Sequence, residues 1–318
     1  MNPINKLIAP RFPATAIGLG SGSASVVQLE RRGRDGFALK KAATITLPET
    51  LVQPNFDEQN ITDANELADA LAELVTSAGL LKQRRWSVAL PEASARTTIL
   101  TMESATGSRK EREEVLRWKT ERGFGVPLEE LRTARERLPP DAQGRTRYIM
   151  TAVRLSVLDE YEAVFASLGW RAGLILPRHL GEARWLMRSR RPGDALLISS
   201  HAEGFTAVLL HEARPIIVRS IVCEPEDRSN ELYRLLLFYR DRVVAAPEIA
   251  EAQTIEHLMV VGDNGFAVDH VEDVINETLG VVVNALGPEG VGLSLPSREI
   301  SFNAIAAPAG LATLAYGG

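Results

Sequence analysis

The stretch ATAIGLGSGSASVVQLE, residues 14–30, sets two apolar runs around a turn made only of glycine and serine. Short apolar runs bounded by such residues read as buried strands, here residues 14–19 and 24–30. A third run, residues 37–46, follows the turn Gly33-Arg34-Asp35-Gly36, and the three form an antiparallel meander. A helix is expected next. Asp63 caps it with Glu66 closing a capping box, and Leu67, Ala70, Leu71, Leu74, Val75 and Ala78 share one face. Gly79 supplies a left-handed stop, and a buried strand, residues 87–90, ends at Pro91.

The same grammar returns in the last third. Residues 195–199, 205–211 and 215–222 read as three strands, the second pair joined at Glu212-Ala213-Arg214. A helix over 229–244 follows. Leu237 and Phe238 widen its stripe of Leu232, Leu235, Leu236, Tyr239 and Val243, so it is expected to be buried on most sides. A strand at 258–262, a helix at 268–279, a strand at 281–284 and a terminal helix near 303–315 complete the chain. A strand-strand-strand-helix-strand unit thus occurs twice, which predicts two similar domains with a ligand-sized cleft between them. The middle has another texture: a strand at 96–102, a charged helix at 109–122, a hairpin of 131–138 and 146–153, a helix at 158–168 and a strand at 172–176. The expected division is a leader, 1–13, a first domain, 14–192, and a second domain, 193–318, with a closing C-terminal helix. The first domain has its core in 14–90 and 178–192 and an α+β insert at 91–177.

Composition narrows the function classes. The chain has 318 residues, a net charge of −5 and 45% hydrophobic residues, which is globular and not disordered. The acidic balance argues against nucleic acid as the main partner. Cys223 is the single cysteine, so an internal disulfide is excluded, and its expected state is a buried structural thiol. His179, His201, His211, His257 and His270 are scattered without a metal-ligand spacing. The start of the sequence lacks the pattern of a signal peptide, and no apolar run is long enough to span a bilayer; the best, residues 302–315, contains Pro308. No GxSxG or HExxH occurs, and neither catalytic nor metal-binding residues are assigned.

Three features carry chemistry. The turn Gly20-Ser21-Gly22-Ser23, with Ser25, either cradles a phosphate with its backbone N–H groups or is a tight hairpin that needs small residues. It lacks the GxGxxG spacing and opens a strand, so it is no dinucleotide fingerprint. Val261-Gly262-Asp263-Asn264-Gly265 either meets a ribose through Asp263 or is a capped strand-to-helix loop. The helix from Lys110 to Arg122 interleaves arginine, lysine and glutamate. It reads as a solvated face or a partner-docking face, with Trp118 expected to point into the module's core.

These residues resemble the PilM family of type IV pilus assembly proteins. Residues 17–27 resemble the family's first phosphate loop, and Val88-Ala89-Leu90-Pro91 its strand leaving the first subdomain. Residues 114–131, EVLRWKTERGFGVPLEEL, resemble the helix and loop into the inserted subdomain. Residues 204–221 are similar to the second phosphate hairpin, and residues 303–312 to the closing helix. The resemblance implies an actin-like fold (ASKHA, duplicated ribonuclease-H-like domains) with an inserted α+β subdomain of the kind found in FtsA. It implies a cytoplasmic scaffold peripheral to the bacterial inner membrane, bound to the N-terminal tail of a PilN-like protein within the complex of PilN and PilO. The related GspL of type II secretion carries a membrane span, which this sequence lacks. The tail is expected against the first domain and the insert, with groove residues unassigned.

The implied cofactor is ATP with magnesium, on Gly20, Ser21, Gly22, Ser23, Ser25, Ser199, Gly204, Gly262, Asp263, Asn264 and Gly265. The family's aspartate and lysine of the first loop fall on Gly20 and Val27. In the second loop the aspartate position falls near Ser199, and Ser200-His201-Ala202-Glu203 replaces a glycine-led turn. Such loops lose phosphate-neutralising groups, so the expectation is a pseudo-ATPase. An ATP-regulated binder, a sugar-kinase-like phosphotransferase and a nucleotide-dependent filament former are the alternatives. Ile4-Asn5-Lys6-Leu7-Ile8-Ala9-Pro10 resembles the isoleucine-asparagine-leucine motif of the PilN tail. The leader is therefore either a disordered tail or an occupant of the partner groove.

Overall fold

The glycine-serine turn is a hairpin in the computed structural model, which describes residues 12–103, 108–141, 143–189, 191–241, 254–262, 266–296 and 300–317. It joins β1 (Thr15–Leu19) to β2 (Ser23–Arg32), and β3 (Gly36–Thr46) continues the antiparallel meander. Helix α1 (Ala64–Ser77) follows. The Asp63 carboxylate accepts from the N–H groups of Asn65 and Glu66 at 2.9 and 3.0 Å, so the Asp63 cap forms, without the reciprocal Glu66 half of the expected box. β4 (Arg85–Leu90) then adds parallel to β1.

The inserted module consists of β5 (Arg96–Met102), α2 (Arg109–Phe124), β6 (Leu131–Leu138) and β7 (Thr146–Arg154), with the sheet order β5-β7-β6. Helix α2 starts on a capping box of Ser108 with Glu111, and Gly125 ends it in the left-handed conformation. Its buried side is Leu116, Thr120 and Phe124, each four residues from the next. Trp118 lies off that line, so it is on the surface under the Arg122 guanidinium and not in the module's core.

Two elements expected in the insert belong elsewhere. Helix α3 (Leu155–Ser167) packs with α1 against the first domain's sheet, and β8 (Arg171–Pro177) pairs parallel with β4. The physical reason is the apolar face of α3, Val157, Leu158, Tyr161, Val164 and Phe165, which needs the Trp86 and Trp170 cluster of that domain to bury it. Helix α4 (Arg178–Ser189), unread in the sequence, leads into the second domain.

There, β9 (Asp194–His201), β10 (Gly204–His211) and β11 (Arg214–Val222) form the second meander. The β10–β11 turn places Glu212 and Ala213 at φ 46° and 62°, a left-handed pair that side chains adopt reluctantly. Helix α5 (Arg228–Tyr239), β12 (Ile255–Val261), α6 (Val268–Leu279), β13 (Asn284–Ala285), β14 (Leu293–Ser294) and α7 (Phe302–Ala312) follow. Helix α5 buries one face, through Leu232, Leu235, Leu236 and Tyr239. Tyr233 and Phe238 are exposed, because one sheet and α6 cover one side only. Val243 lies outside the described residues.

The two main sheets share a topology. The first runs β14-β3-β2-β1-β4-β8 and the second β11-β10-β9-β12-β13. In each, a three-stranded meander is extended by parallel strands beyond its first member. β14, contributed from the second half of the chain, pairs with β3 of the first. Each sheet packs outer helices on one face, α1 and α3 or α5 and α6. The inner faces share one core around α4 and α7, which exchange sides: α4 contacts β9 and β10, and α7 lies on β1, β2 and β4. The helices cross at Gly181 and Gly310. A Cβ on Gly181 would sit 2.3 Å from the Ala307 carbonyl oxygen, and one on Gly310 1.8 Å from that of Gly181. No helix among the described residues is long and apolar enough to cross a membrane.

Candidate functional site

Strands β4 and β8 end side by side, with Leu90 opposite Pro177. The C-terminal ends of adjacent parallel strands are where α/β sheets build ligand sites. Here they open on a cleft of about 510 Å³ between the two domains. Gly20, Ser21, Gly22 and Ser23 line it from the first domain, and His201, Ala202 and Glu203 of the β9–β10 hairpin line it from the second. The two turns read as phosphate loops therefore border one cleft.

The other predicted residues have different positions. Ser25 is buried and donates its hydroxyl to the Ala304 carbonyl at 2.8 Å, which ties β2 to α7. Ser199 is fully buried in β9, its Oγ without a hydrogen-bond partner. Gly204 and Gly262 are backbone necessities. At φ 144° and 115°, a Cβ on either would lie 2.1 Å from a carbonyl oxygen, of Ile221 and Ser200 respectively. Asp263, Asn264 and Gly265 lie outside the described residues, as do residues 1–11 with the leader motif.

The floor of the cleft is a polar cluster that the sequence reading missed. Glu92, just past β4, is 4% exposed. Its Oε1 lies 2.6 Å from His179 Nδ1 at the start of α4 and accepts from the Thr206 hydroxyl of β10 at 2.6 Å. Ser220 Oγ of β11 is 2.9 Å from Thr206 Oγ1. Burial alone would raise the Glu92 carboxyl. The charge and hydrogen bond of His179, with His201 and Thr206, win and lower it to about 2. His201 Nδ1 is 3.1 Å from Glu203 Oε2 and holds that carboxyl below its usual range. Arg178, also on the cleft, gives Nε–H to Glu182 Oε1 at 2.9 Å. The only signal for this cluster in the sequence is a glutamate directly after the strand VALP and a histidine opening a helix after Pro177. Cys223 is only half-buried, not buried as expected, because it lies just past the end of β11; what burial it has raises its thiol.

A second concavity, about 210 Å³, lies between the first domain and the insert. β8 is the outermost strand of its sheet and β6 of its own, and both line this groove. Val153, Leu158, Leu174 and Leu176 give it apolar walls, with Arg132 and Glu162 among its polar groups. The insert is tied to the first domain by Arg154 and Arg96, paired to Asp57 at 2.9 and 3.1 Å, and Arg154 also pairs within the insert to Glu130 at 2.6 Å.

No protein-family model and no curated protein matches the chain. Among solved structures, the PilM–PilN type IV pilus biogenesis complex is similar at a TM-score of 0.73. The match covers 96% of this chain and 99% of that one at 19% identity. Also similar are a Bacteroides thetaiotaomicron protein of actin-like ATPase fold and unknown function (TM-score 0.48, 11% identity, 91% and 95% covered) and the cytoplasmic domain of EpsL (TM-score 0.47, 11% identity, 96% and 94% covered). EpsL is an inner-membrane component of the Vibrio cholerae type II secretion system. At such identities the likeness is one of fold. The fold is actin-like, two ribonuclease-H-like domains of matching sheet order with an α+β insert in the first.

Proposed function

We propose that this chain is a cytoplasmic actin-like scaffold of a pilus-assembly complex at the inner membrane, and that it binds the extended N-terminal tail of a PilN-like protein. The observation that carries this reading is the groove flanked by two outermost strands, β6 and β8. An extended peptide laid there finds unpaired backbone groups on both sides and apolar pockets for alternate side chains. A single open sheet edge supports peptide addition weakly; two facing edges over an apolar floor support it well.

The interdomain cleft suits a triphosphate poorly. Glu49, Glu92 and Glu203 line it, and Arg178 is already engaged by Glu182. This acidic lining repels phosphates and supports the reading of a pseudo-ATPase. Nucleotide-regulated binding is the second reading, favoured by the Gly20–Ser23 turn facing the cleft. Capture of the full chain by an immobilised PilN-like tail, with none by a scrambled tail, is the expected result. Mg-ATP titration should give no micromolar isotherm; such an isotherm would replace the first reading with the second.

A further inference from the structure

The cleft and the groove share a wall. Leu90 and Ala95 line the groove, whereas Pro91 and Glu92, between them in sequence, line the cleft. On the neighbouring strand, Leu176 and Pro177 line the groove and the next residue, Arg178, lines the cleft. The two chain segments cross from one concavity to the other together, and the Glu92–His179 contact at 2.6 Å fastens them where they emerge. The one-turn helix Glu92–Ser94 is fixed at both ends. Glu92 reaches the second domain through Thr206, and buried Ser94 reaches α3 by hydrogen bonding to Asn60 Oδ1, to which Tyr161 also donates at 3.2 Å. Helix α3 in turn presents Leu158 and Glu162 to the groove.

We infer that Glu92 is a positioning residue for the groove, its hydrogen bond with Thr206 being the latch through which the relation of the two domains sets the groove's shape. Glu92 follows β4 of the first domain's sheet, His179 opens α4, which runs from β8 towards the second domain, and Thr206 belongs to the second domain's sheet. The Glu92–Thr206 bond therefore runs directly from the end of β4 to the second domain's sheet, beside the Glu92–His179 contact. Breaking the bond removes the second domain's hold on the Glu92 end of the turn, whose Ser94 end is tied through Asn60 and Tyr161 to α3, a wall of the groove. The latch thus regulates the proposed tail-binding groove, and its role in binding rests on that groove being the binding site.

The test compares the wild-type chain with Thr206→Val, which at constant shape removes the interdomain hydrogen bond and the Thr206–Ser220 bond, with Ser220→Ala, which removes only the latter, and with Glu92→Gln, which also disturbs the His179 contact. Hydrogen exchange is followed at residues 132–134 of β6 and 172–176 of β8, and affinity is measured with a synthetic PilN-like tail peptide. Thr206→Val, but not Ser220→Ala, should raise exchange in both groove strands while leaving α1 unchanged, and weaken the peptide by at least ~5-fold, the lower end of typical coupling between sites. Exchange confined to residues near 92 and 206, with affinity unchanged, overturns the latch. Should the wild-type chain bind no peptide, the proposed function fails, and the exchange pattern at 132–134 and 172–176 still decides the latch. Should Glu92→Gln fail to fold, Thr206→Val against Ser220→Ala decides it.

Discussion

Gly310→Ala sets two effects of opposite sign against each other at the crossing of α4 and α7. Gly310 is in the last turn of α7 without a positive φ, so alanine fits the backbone and improves intrinsic helix propensity by at most about 1 kcal/mol. The new methyl, however, would sit 1.8 Å from the Gly181 carbonyl oxygen and 2.6 Å from its carbon. Both atoms are backbone, so no side chain can swing away. Relief to an ordinary contact of ~3.5 Å requires the helices to separate by more than ~1 Å. A radial gap of that size forfeits roughly a quarter to a half of the dispersion energy of the contacts it opens. The contacts at risk are those of the shared core: Trp185, whose indole N–H donates to the Ala306 carbonyl at 2.8 Å, with Ile305, Ala306, Ala309 and Leu186. Overpacking costs about 1–3 kcal/mol where side chains can adjust, and here they cannot. The clash should win, with a net loss of about 3 kcal/mol. Urea unfolding followed by tryptophan fluorescence measures it. Because the two helices are exchanged between the sheets, both domains should lose stability together. A loss under ~1 kcal/mol, or a shift in one domain only, would refute the reasoning.

Other outcomes follow from the same geometry. The Glu92 carboxyl is lowered from 4.5 to about 2, so its contribution is complete above the unfolded value and is lost as pH falls from about 5 towards 2. That contribution is of order 3 kcal/mol, and Glu92→Gln should flatten the acid limb of the stability–pH curve relative to wild type. Ser25→Ala should cost about 1 kcal/mol in unfolding experiments, since its hydroxyl serves the Ala304 carbonyl, and should leave any response to Mg-ATP as in the wild type. Asp57→Ala removes the ion pairs that tie Arg96 and Arg154 to the first domain, leaving Arg154 its pair with Glu130, so exchange in the β5-β7-β6 sheet should rise while melting of the two-domain core shifts little.

The meanders are legible in the sequence because short apolar runs and turn residues are local signals. β5 is bounded as read, and β1 to β3 within a residue or two. Partnership is less legible. The apolar face of α3 announces a helix, but nothing in residues 155–167 says that α1 is its neighbour and the insert is not. β14 is two residues long, and its pairing with β3 across most of the chain has no local signature. The turns at 20–23 and 201–203 that border one cleft follow from the repeated order of elements. The cluster of Glu92, His179 and Thr206 does not, because its members lie far apart in sequence and converge only through the strand ends and the domain interface. Gly262 and Gly204 read as phosphate-binding glycines, yet their close approaches to the Ser200 and Ile221 carbonyls account for them.

The central claim is that the groove between β6 and β8 binds an extended tail. Ala134 is exposed on β6 and lines that groove without belonging to the core, so Ala134→Arg fills the groove at little cost to folding. Calorimetric titration of the wild-type chain and this variant with a PilN-like tail peptide tests the claim most directly. The account predicts binding by the wild type and at least ~10-fold weaker binding by the variant, a difference of about 1.4 kcal/mol. Equal affinity in both chains, or no binding by the wild type, would contradict it.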